Sequence, residues 1–212
     1  MARPRQPLID RQRVVEAALE IIDRDGLEAA SIRRIGAELG VDGTSLYHHF
    51  ADKEAILHGV RLLVLQESHV GEPPAASESW QQYLTRTTTG YRTSLLRHPN
   101  AAPLLAPTLL LRPFSLVFRD RVASKLAGEG VPAQLVFPII DSAETLAYAS
   151  ALLNPAQKSA RERMTILPDD GVPALERAVA ASPRSPSVVF DLQLQALVEG
   201  WSAVLQHQAV RT

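Results

Sequence analysis

The residues best suited to do chemistry lie together in TSLYHHF, residues 44–50. If this segment is helical, its two apolar members, Leu46 and Phe50, lie four residues apart and point inward together. The outer face then carries Thr44, Ser45, Tyr47, His48 and His49. Short hydroxyls can reach DNA bases, and phenol and imidazole groups can donate hydrogen bonds to phosphates. Large exposed rings usually have a partner, so this face indicates nucleic-acid binding in preference to a solvated surface helix.

Patterns typical of enzymes are absent from the sequence. It contains no GxSxG, GxGxxG, Walker or HExxH motif. The adjacent His48 and His49 would point about 100° apart on a helix, so they cannot share one metal ion. Asp141 and Glu144 lie three residues apart, but no nucleophile or base accompanies them, which favours a polar strip or a ligand contact. We therefore expect no catalysis, no cofactor and no metal site.

Two short helical runs position the polar face. The first spans 31–39, has apolar residues at helical spacing, and offers Ser31 as its N-cap and Gly40 as a left-handed stop. A turn at 41–43 follows, in which Gly43 is expected to adopt unusual dihedral angles. The second run is the segment described above. Two short helices around such a turn predict a helix-turn-helix, whose second helix enters the major groove of DNA.

Apolar spacing is helical along the rest of the chain, and no strand pattern or fixed repeat appears, so the fold class is predicted to be all-α. Residues 154–186 are rich in Pro, Ala, Asp, Arg and Ser and are predicted to form a long loop with at most a short helix at 173–181. A short, irregular helix is expected within 101–111, which two prolines interrupt. The main helices are expected at residues 10–24, 53–68, 79–97, 112–127, 132–153 and 187–207.

Composition sets further limits. The 212 residues are 46% hydrophobic and 21% charged, which is ordinary for a globular protein. We expect neither a membrane span nor a signal peptide, and the absence of Cys fits the expected cytoplasmic location. The net charge of −1 argues against strong non-specific DNA binding. The first 13 residues nevertheless form a basic arm, with Asp10 as their only acid and with Arg3, Arg5, Arg11 and Arg13.

The helices predicted at 132–153 and 187–207 are apolar over more than one stripe. Either they form a buried pair inside a large core, or two from each chain form a four-helix interface in a homodimer. We favour the homodimer, because a helix-turn-helix needs a second copy to read a full site. Ala147 and Leu194 are expected to lie in that interface.

Residues 10–64 resemble the DNA-binding domain of the TetR family of transcriptional regulators. The likeness is carried by the helix that ends in Gly26, by SIRRI (31–35), AELGV (37–41) and LYHHF (46–50), and by DKE (52–54). A weaker likeness to the core domain of the tetracycline repressor branch continues in ESWQ (78–81) and in the helix around Tyr91.

The resemblance implies a helix-turn-helix DNA-binding domain at 1–52 and a helical ligand-binding and dimerisation domain at 53–212, with the helix 53–68 connecting them. It implies a repressor that a small organic inducer releases from a palindromic operator in double-stranded DNA, and no membrane partner. The alternative from a different class is a helical small-molecule-binding protein with no DNA-binding role.

The resemblance also assigns roles to single residues. Arg33, Thr44 and Ser45 would contact bases, and phosphates would be held by Ser31, Tyr47, His48, His49 and Lys53. The family often carries a base-reading side chain at the position of Gly43, so specificity should shift onto the two hydroxyls. The ligand would lie in a mostly apolar pocket with a few polar groups. The candidates for those groups are His69, Thr87, Tyr91, Thr108, Arg112, Glu144 and Tyr148.

Two positions of the sequence indicate whether the ligand binds together with a metal ion. The tetracycline repressor holds a drug-bound magnesium through a His, aided by a Glu, and the alignment puts Leu105 and Asn154 at those places. Leu105 has no lone pair, so a hard cation would lack its protein ligand. We therefore expect an inducer that binds without metal.

Overall fold

The computed structural model of the protein describes residues 10–68, 71–106, 113–154, 156–164 and 171–209. Every regular element within these ranges is helical, which confirms the all-α prediction. The helices in chain order are α1 (Arg11–Asp25), α2 (Ile32–Glu38), α3 (Lys53–Glu67), α4 (Trp80–Arg97), α5 (Pro113–Gly128), α6 (Ala133–Leu152), α7 (Ala160–Arg163), α8 (Pro173–Ala181) and α9 (Pro186–Ala209). Three 3₁₀ segments accompany them, at Leu27–Ala29, Gly43–His48 and Ala102–Leu104.

Local capping explains where the first helices begin. Four side chains each accept a hydrogen bond from the backbone N–H three residues further on, at 2.8 to 3.2 Å. They belong to Asp10, Ser31, Asp52 and Ser79. Each bond satisfies a backbone donor that the helix itself leaves unpaired. At the other ends, Gly26 and Gly40 have φ of +88° and +70°, where a side chain would be strained.

The N-terminal three elements enclose a small apolar core. The inner side of α1 is fully buried at Val14, Ala18 and Ile21, and α1 packs against α2 and α3. Ile35, Leu46 and Phe50 are buried on the opposite side of this core. Burial of side chains of this size contributes about 1.5–3 kcal/mol each, which holds the two short helices in place although neither would be stable alone.

Helix α3 connects this core with the larger C-terminal half. It packs against α1 on one side and α4 on the other. Helix α4 lies at the centre of that half and contacts α5, α6 and α9. We call residues 43–50 the recognition segment. One continuous hydrophobic cluster runs from this segment to α9. A domain boundary near residue 52 stays a prediction.

The structure corrects two expectations about the helix-turn-helix. Its second element is a 3₁₀ segment, Gly43–His48, and not an α-helix. Gly43 also lies outside the left-handed region, so unusual dihedral angles are not the reason for a glycine there. The reason is a close approach of backbones: a Cβ on Gly36 would lie 2.8 Å from Cα of Gly43, and a Cβ on Gly43 would lie 3.2 Å from Cα of Arg33.

The long predicted loop between α6 and α9 is partly helical. The short helix expected at 173–181 is confirmed as α8, and α7 adds one turn that the sequence did not predict. The irregular helix expected within 101–111 appears as the 3₁₀ segment Ala102–Leu104. Its second half lies outside the described residues.

Candidate DNA interface and ligand-binding core

The recognition segment is fixed at its start by Asp42. The Oδ1 atom of Asp42 accepts from the backbone N–H of Thr44 at 2.8 Å and from the Thr44 hydroxyl at 2.7 Å. Both bonds lower the pKa of the Asp42 carboxyl, the backbone bond more than the hydroxyl bond. The Thr44 hydroxyl uses its one proton to donate this hydrogen bond, so towards a base it can act only as an acceptor.

The structure brings the eight predicted DNA-binding residues to neighbouring positions on α2, the 3₁₀ segment and the start of α3. Tyr47 is 55% exposed although it is a large aromatic residue. The other fully exposed members are Ser31, Arg33, Thr44 and His48. Partly covered members are Ser45, His49 and Lys53. Leu46 and Phe50 point inward as predicted, with 1% and 4% exposed.

Ion pairs divide the basic residues of this region into two groups. Arg34 contacts Asp25 at 2.5 Å, and Arg24 contacts Glu38 at 3.1 Å. The pair with Arg24 lowers the pKa of the Glu38 carboxyl. Arg33 makes no ion pair within the described part of the chain, and the same holds for Lys53. The charge of Arg34 is therefore engaged within the protein, whereas the charge of Arg33 remains available.

Arg11 holds the far end of the recognition segment, a role that sequence reasoning did not single out. Its guanidinium donates to the backbone carbonyl of His49 and lies over the Phe50 ring, 4.3 Å from the ring centre. Cation–π contacts of this kind stabilise by about 0.5–1 kcal/mol at exposed sites. The signal available in the sequence was only a basic residue at the start of α1, which cannot identify a partner 38 residues away.

The sequence of this region also matches a known family of DNA-binding proteins. Residues 14–60 match the model of the family described as "Bacterial regulatory proteins, tetR family". This part of the chain is thus similar to the DNA-binding domain of the TetR family. The match covers most of α1, all of α2 and the recognition segment, and the first half of α3. These elements carry the eight predicted DNA-binding residues, which we call the exposed row.

Relatives extend the likeness beyond that domain. The chain is similar to the tetracycline repressor protein class D of Escherichia coli, with 33% identity over 94 residues, 44% of this chain and 43% of that protein. It thus spans less than half the length of that relative. It is also similar to the class E protein of Escherichia coli, with 26% identity over 92% of both chains. A crystal structure of the Streptomyces coelicolor TetR family protein ActR in complex with actinorhodin superposes with a TM-score of 0.73 and 26% identity, over 93% of this chain and 98% of that one.

Three of the seven predicted ligand-contacting residues meet in the core between α4, α5 and α6. Glu144 is held by Arg119, whose Nη2 and Nε donate to its carboxylate at 2.6 and 3.0 Å. Tyr91 is 6% exposed, and its hydroxyl has no hydrogen-bond partner among the described residues. Burial raises the pKa of the Tyr91 phenol, and the charge of Glu144 and the neighbouring Tyr148 raise it further. Burial also raises the pKa of Glu144, although Arg119 opposes the shift.

The other four predicted ligand-contacting residues are not part of this group. Thr87 is buried, but its hydroxyl bonds to the carbonyls of Tyr83 and Leu84 within its own helix, at 2.9 and 3.1 Å. His69, Thr108 and Arg112 lie outside the described residues. Of the two positions tied to magnesium, Leu105 is buried at 1% exposed. Asn154 is engaged in its own loop, where it exchanges two hydrogen bonds with the backbone of Lys158 at 2.8 and 2.9 Å.

A polar contact between the two halves of the molecule was also not predicted. His98, at the end of α4, is buried between two carboxylates: Nδ1 lies 2.7 Å from Oδ2 of Asp23, and Nε2 lies 3.0 Å from Oε2 of Glu67. Arg61 is buried as well and donates to the carbonyl of Leu104 at 3.0 Å and to Glu54 at 2.8 Å. These bonds connect α1 and α3 directly with the elements that border the core.

Proposed function

We propose that the protein is a DNA-binding transcriptional regulator, a repressor of the TetR type that a small organic ligand releases from a palindromic operator. The observation that carries the proposal is the exposed row on the recognition segment. Tyr47 and His48 are exposed on it, and the exposed Arg33 makes no ion pair with a described residue. We assign base contacts to Arg33, Thr44 and Ser45, and phosphate contacts to Ser31, Tyr47, His48, His49 and Lys53.

A homodimer is part of the proposal, and its support is the uncovered apolar surface of α6 and α9. Both helices are long and apolar enough, by length and composition, to cross a membrane, yet only 28% and 17% of the relevant windows are buried. Asp141 and Glu144 lie midway along α6, where a membrane would make them costly. A second copy of the chain covers such faces without that cost.

The proposed dimer face lies on the two helices that the sequence predicted, but it does not include the two residues expected there. Ala147 and Leu194 are 0% and 1% exposed, so they belong to the core of one chain and not to an interface. Five of the exposed residues on α9 are spaced four positions apart, so each lies next to the following one along the helix surface. They are Val188, Leu192, Ala196, Gly200 and Val204.

The ligand site in this proposal is the core around Tyr91, Glu144 and Arg119. A buried hydroxyl that lacks a partner costs stability, typically about 1–3 kcal/mol, and a ligand with a polar group can recover that loss. The chemistry fits an organic molecule without metal, because Leu105 supplies only hydrocarbon. The ligand binds better to a form in which the two recognition segments no longer match the operator, so ligand and DNA oppose one another. A cytoplasmic location and the absence of catalysis complete the proposal.

The direct test is fluorescence anisotropy with labelled DNA from upstream of the gene. Arg33→Ala should weaken operator binding by about 1–3 kcal/mol and relax its sequence preference, because a base contact is lost. Lys53→Ala should weaken binding to all sequences alike, because a phosphate contact carries no sequence information. Arg177→Ala, an exposed change on α8, serves as the control for charge and should have no effect.

Two results would contradict this assignment. Unchanged operator binding in both Arg33→Ala and Tyr47→Ala would remove the exposed row from the DNA interface. A wild-type protein that binds small molecules but no specific DNA would favour the alternative, a helical small-molecule-binding protein.

A further inference from the structure

Arg92 is a buried cation whose partners among the described residues are all neutral. It is 6% exposed and lies on α4, one position after Tyr91 and thus about 100° around the helix from it. Its Nε donates to the Ser150 hydroxyl at 3.0 Å, and its Nη2 donates to the Gln157 side-chain carbonyl at 2.6 Å. The guanidinium also lies over the Phe190 ring, 4.5 Å from the ring centre. A buried charge normally has a counter-charge beside it, because hydrogen bonds to neutral groups do not balance the lost hydration.

The charge of Arg92 is poorly compensated in the described residues. Burial lowers the pKa of its guanidinium, and the Asp191 carboxylate, which makes no ion pair with it, offsets only part of that shift. By comparison, Arg119 on α5 is partly buried and has the carboxylate of Glu144 at 2.6 Å. Of these two arginines in the same half of the molecule, the more deeply buried one makes no ion pair with a described residue.

Arg92 borders a cavity of about 330 Å³ between α4, the end of α6, α7 and the start of α9. Lys158 and Arg163 line the same cavity, so three cations border it, and none of its lining residues in the described part of the chain is Asp or Glu. One wall is apolar and consists of Leu146, Leu153, Val189 and Phe190. A volume of this size is at the lower end for small-molecule sites.

The loop before α7 contacts Arg92 through Gln157. Gln157 has φ of +49°, a conformation that residues other than glycine rarely adopt. Its Nε2 donates to the carbonyl of Asn154 at 2.6 Å while its Oε1 accepts from Arg92. The loop thus places a neutral acceptor against a buried cation that lines the cavity.

We propose that this cavity binds a small organic acid, with its carboxylate among Arg92, Lys158 and Arg163 and its hydrocarbon part against the apolar wall. The three cations demand an anion, and the apolar wall favours an acid with a hydrocarbon body over an inorganic ion. This second ligand site is separate from the core around Tyr91. It does not depend on the proposed DNA binding, because its test measures ligand binding directly.

The first experiment is calorimetry and thermal unfolding of the full chain with sodium octanoate, with octan-1-ol as the neutral comparison of similar size. Octanoate should bind with heat release and raise Tm with concentration, and octan-1-ol should bind at least tenfold more weakly. The double change Lys158→Ala with Arg163→Ala should weaken octanoate binding about tenfold, because two charge contacts are lost. Arg177→Ala removes one exposed charge outside the cavity and should leave the affinity unchanged.

The decisive variant is Gln157→Glu, which keeps Arg92 and the shape of the cavity. It places a carboxylate at the position that now lies 2.6 Å from Nη2 of Arg92. The variant should therefore raise Tm without ligand and weaken octanoate binding at least tenfold. Tyr91→Phe should not affect octanoate binding, which separates this site from the proposed inducer site. Equal affinity in wild type, Gln157→Glu and the double variant would overturn the proposal, as would equal binding of octan-1-ol or no binding up to about 10 mM.

Discussion

Gly36 is the position at which one added methyl group should do most harm to the helix-turn-helix. A Cβ there would lie 2.8 Å from Cα and 2.9 Å from N of Gly43, and 3.0 Å from the carbonyl oxygen of Val41. All three are backbone atoms, so no side chain can rotate to relieve the contact. Favourable carbon–carbon contacts require about 3.5–4.0 Å, so the recognition segment must move away from α2 by roughly 1 Å.

The size of the effect follows from two opposing terms. Forcing an extra carbon into a close contact costs about 1–3 kcal/mol. Alanine is better than glycine inside a helix by about 0.5–1 kcal/mol, which offsets part of that cost. Gly36→Ala should therefore reduce the free energy of unfolding by about 1–2 kcal/mol. Gly43→Ala should cost less, because its Cβ would lie 3.2 Å from the nearest atom.

The assay compares urea unfolding at one fixed protein concentration with operator binding by anisotropy. Gly36→Ala should weaken operator binding at least tenfold, because a shift of the recognition segment breaks contacts that are worth about 1–3 kcal/mol each. Gly128→Ala is the matched control: its Cβ would have no atom within 4 Å, so stability and DNA binding should be unchanged or slightly improved. If Gly36→Ala unfolds like wild type and binds the operator normally, the two backbones are not as close as the structure has them.

Three further results are expected. Leu192→Arg should give a monomer by light scattering, because this exposed side chain on α9 lies on the proposed dimer face; a persistent dimer would place the interface elsewhere. Burial raises the pKa of the Glu67 carboxyl, but hydrogen bonds from His98 and Arg97 lower it more, so the net shift is downward. Glu67→Gln should thus lower the free energy of unfolding by about 1 kcal/mol at pH 7. The difference from wild type should vanish as the pH falls below the ordinary pKa of 4.5 and through the lower pKa of Glu67 in the folded protein. Urea unfolding at several pH values would check this. Tyr91→Phe should raise the stability of the unliganded protein by about 1 kcal/mol and weaken release from the operator by the inducer; an unaltered response would remove Tyr91 from the ligand site.

Local features of the sequence determined the all-helical class and most helix ends. A cap such as Ser31 or Asp52 bonds to a backbone N–H only three residues away, so its effect is encoded within one turn. The inward direction of Leu46 and Phe50 likewise follows from a spacing of four residues. For the same reason the spacing exposes Tyr47 and His48, so the candidate DNA interface could be read without any knowledge of the tertiary structure.

Only the tertiary structure decided which of several equivalent residues has a partner. Arg33 and Arg34 are neighbours of the same type, and one of them meets Asp25 because α1 ends beside it. Gly43 is required by the approach of α2, which its own sequence neighbourhood does not reveal.

The same limit applies to the long helices and to the cavities. Helix α9 is apolar on more than one side, and the packing of α4 and α6 determines which side is buried and which is left for a second chain. Arg92 meets a neutral glutamine among the described residues because that is what the loop 65 residues away brings to it. Periodicity shows that a face is apolar or charged, but what covers that face depends on contacts between distant parts of the chain, and those arise only when the chain folds.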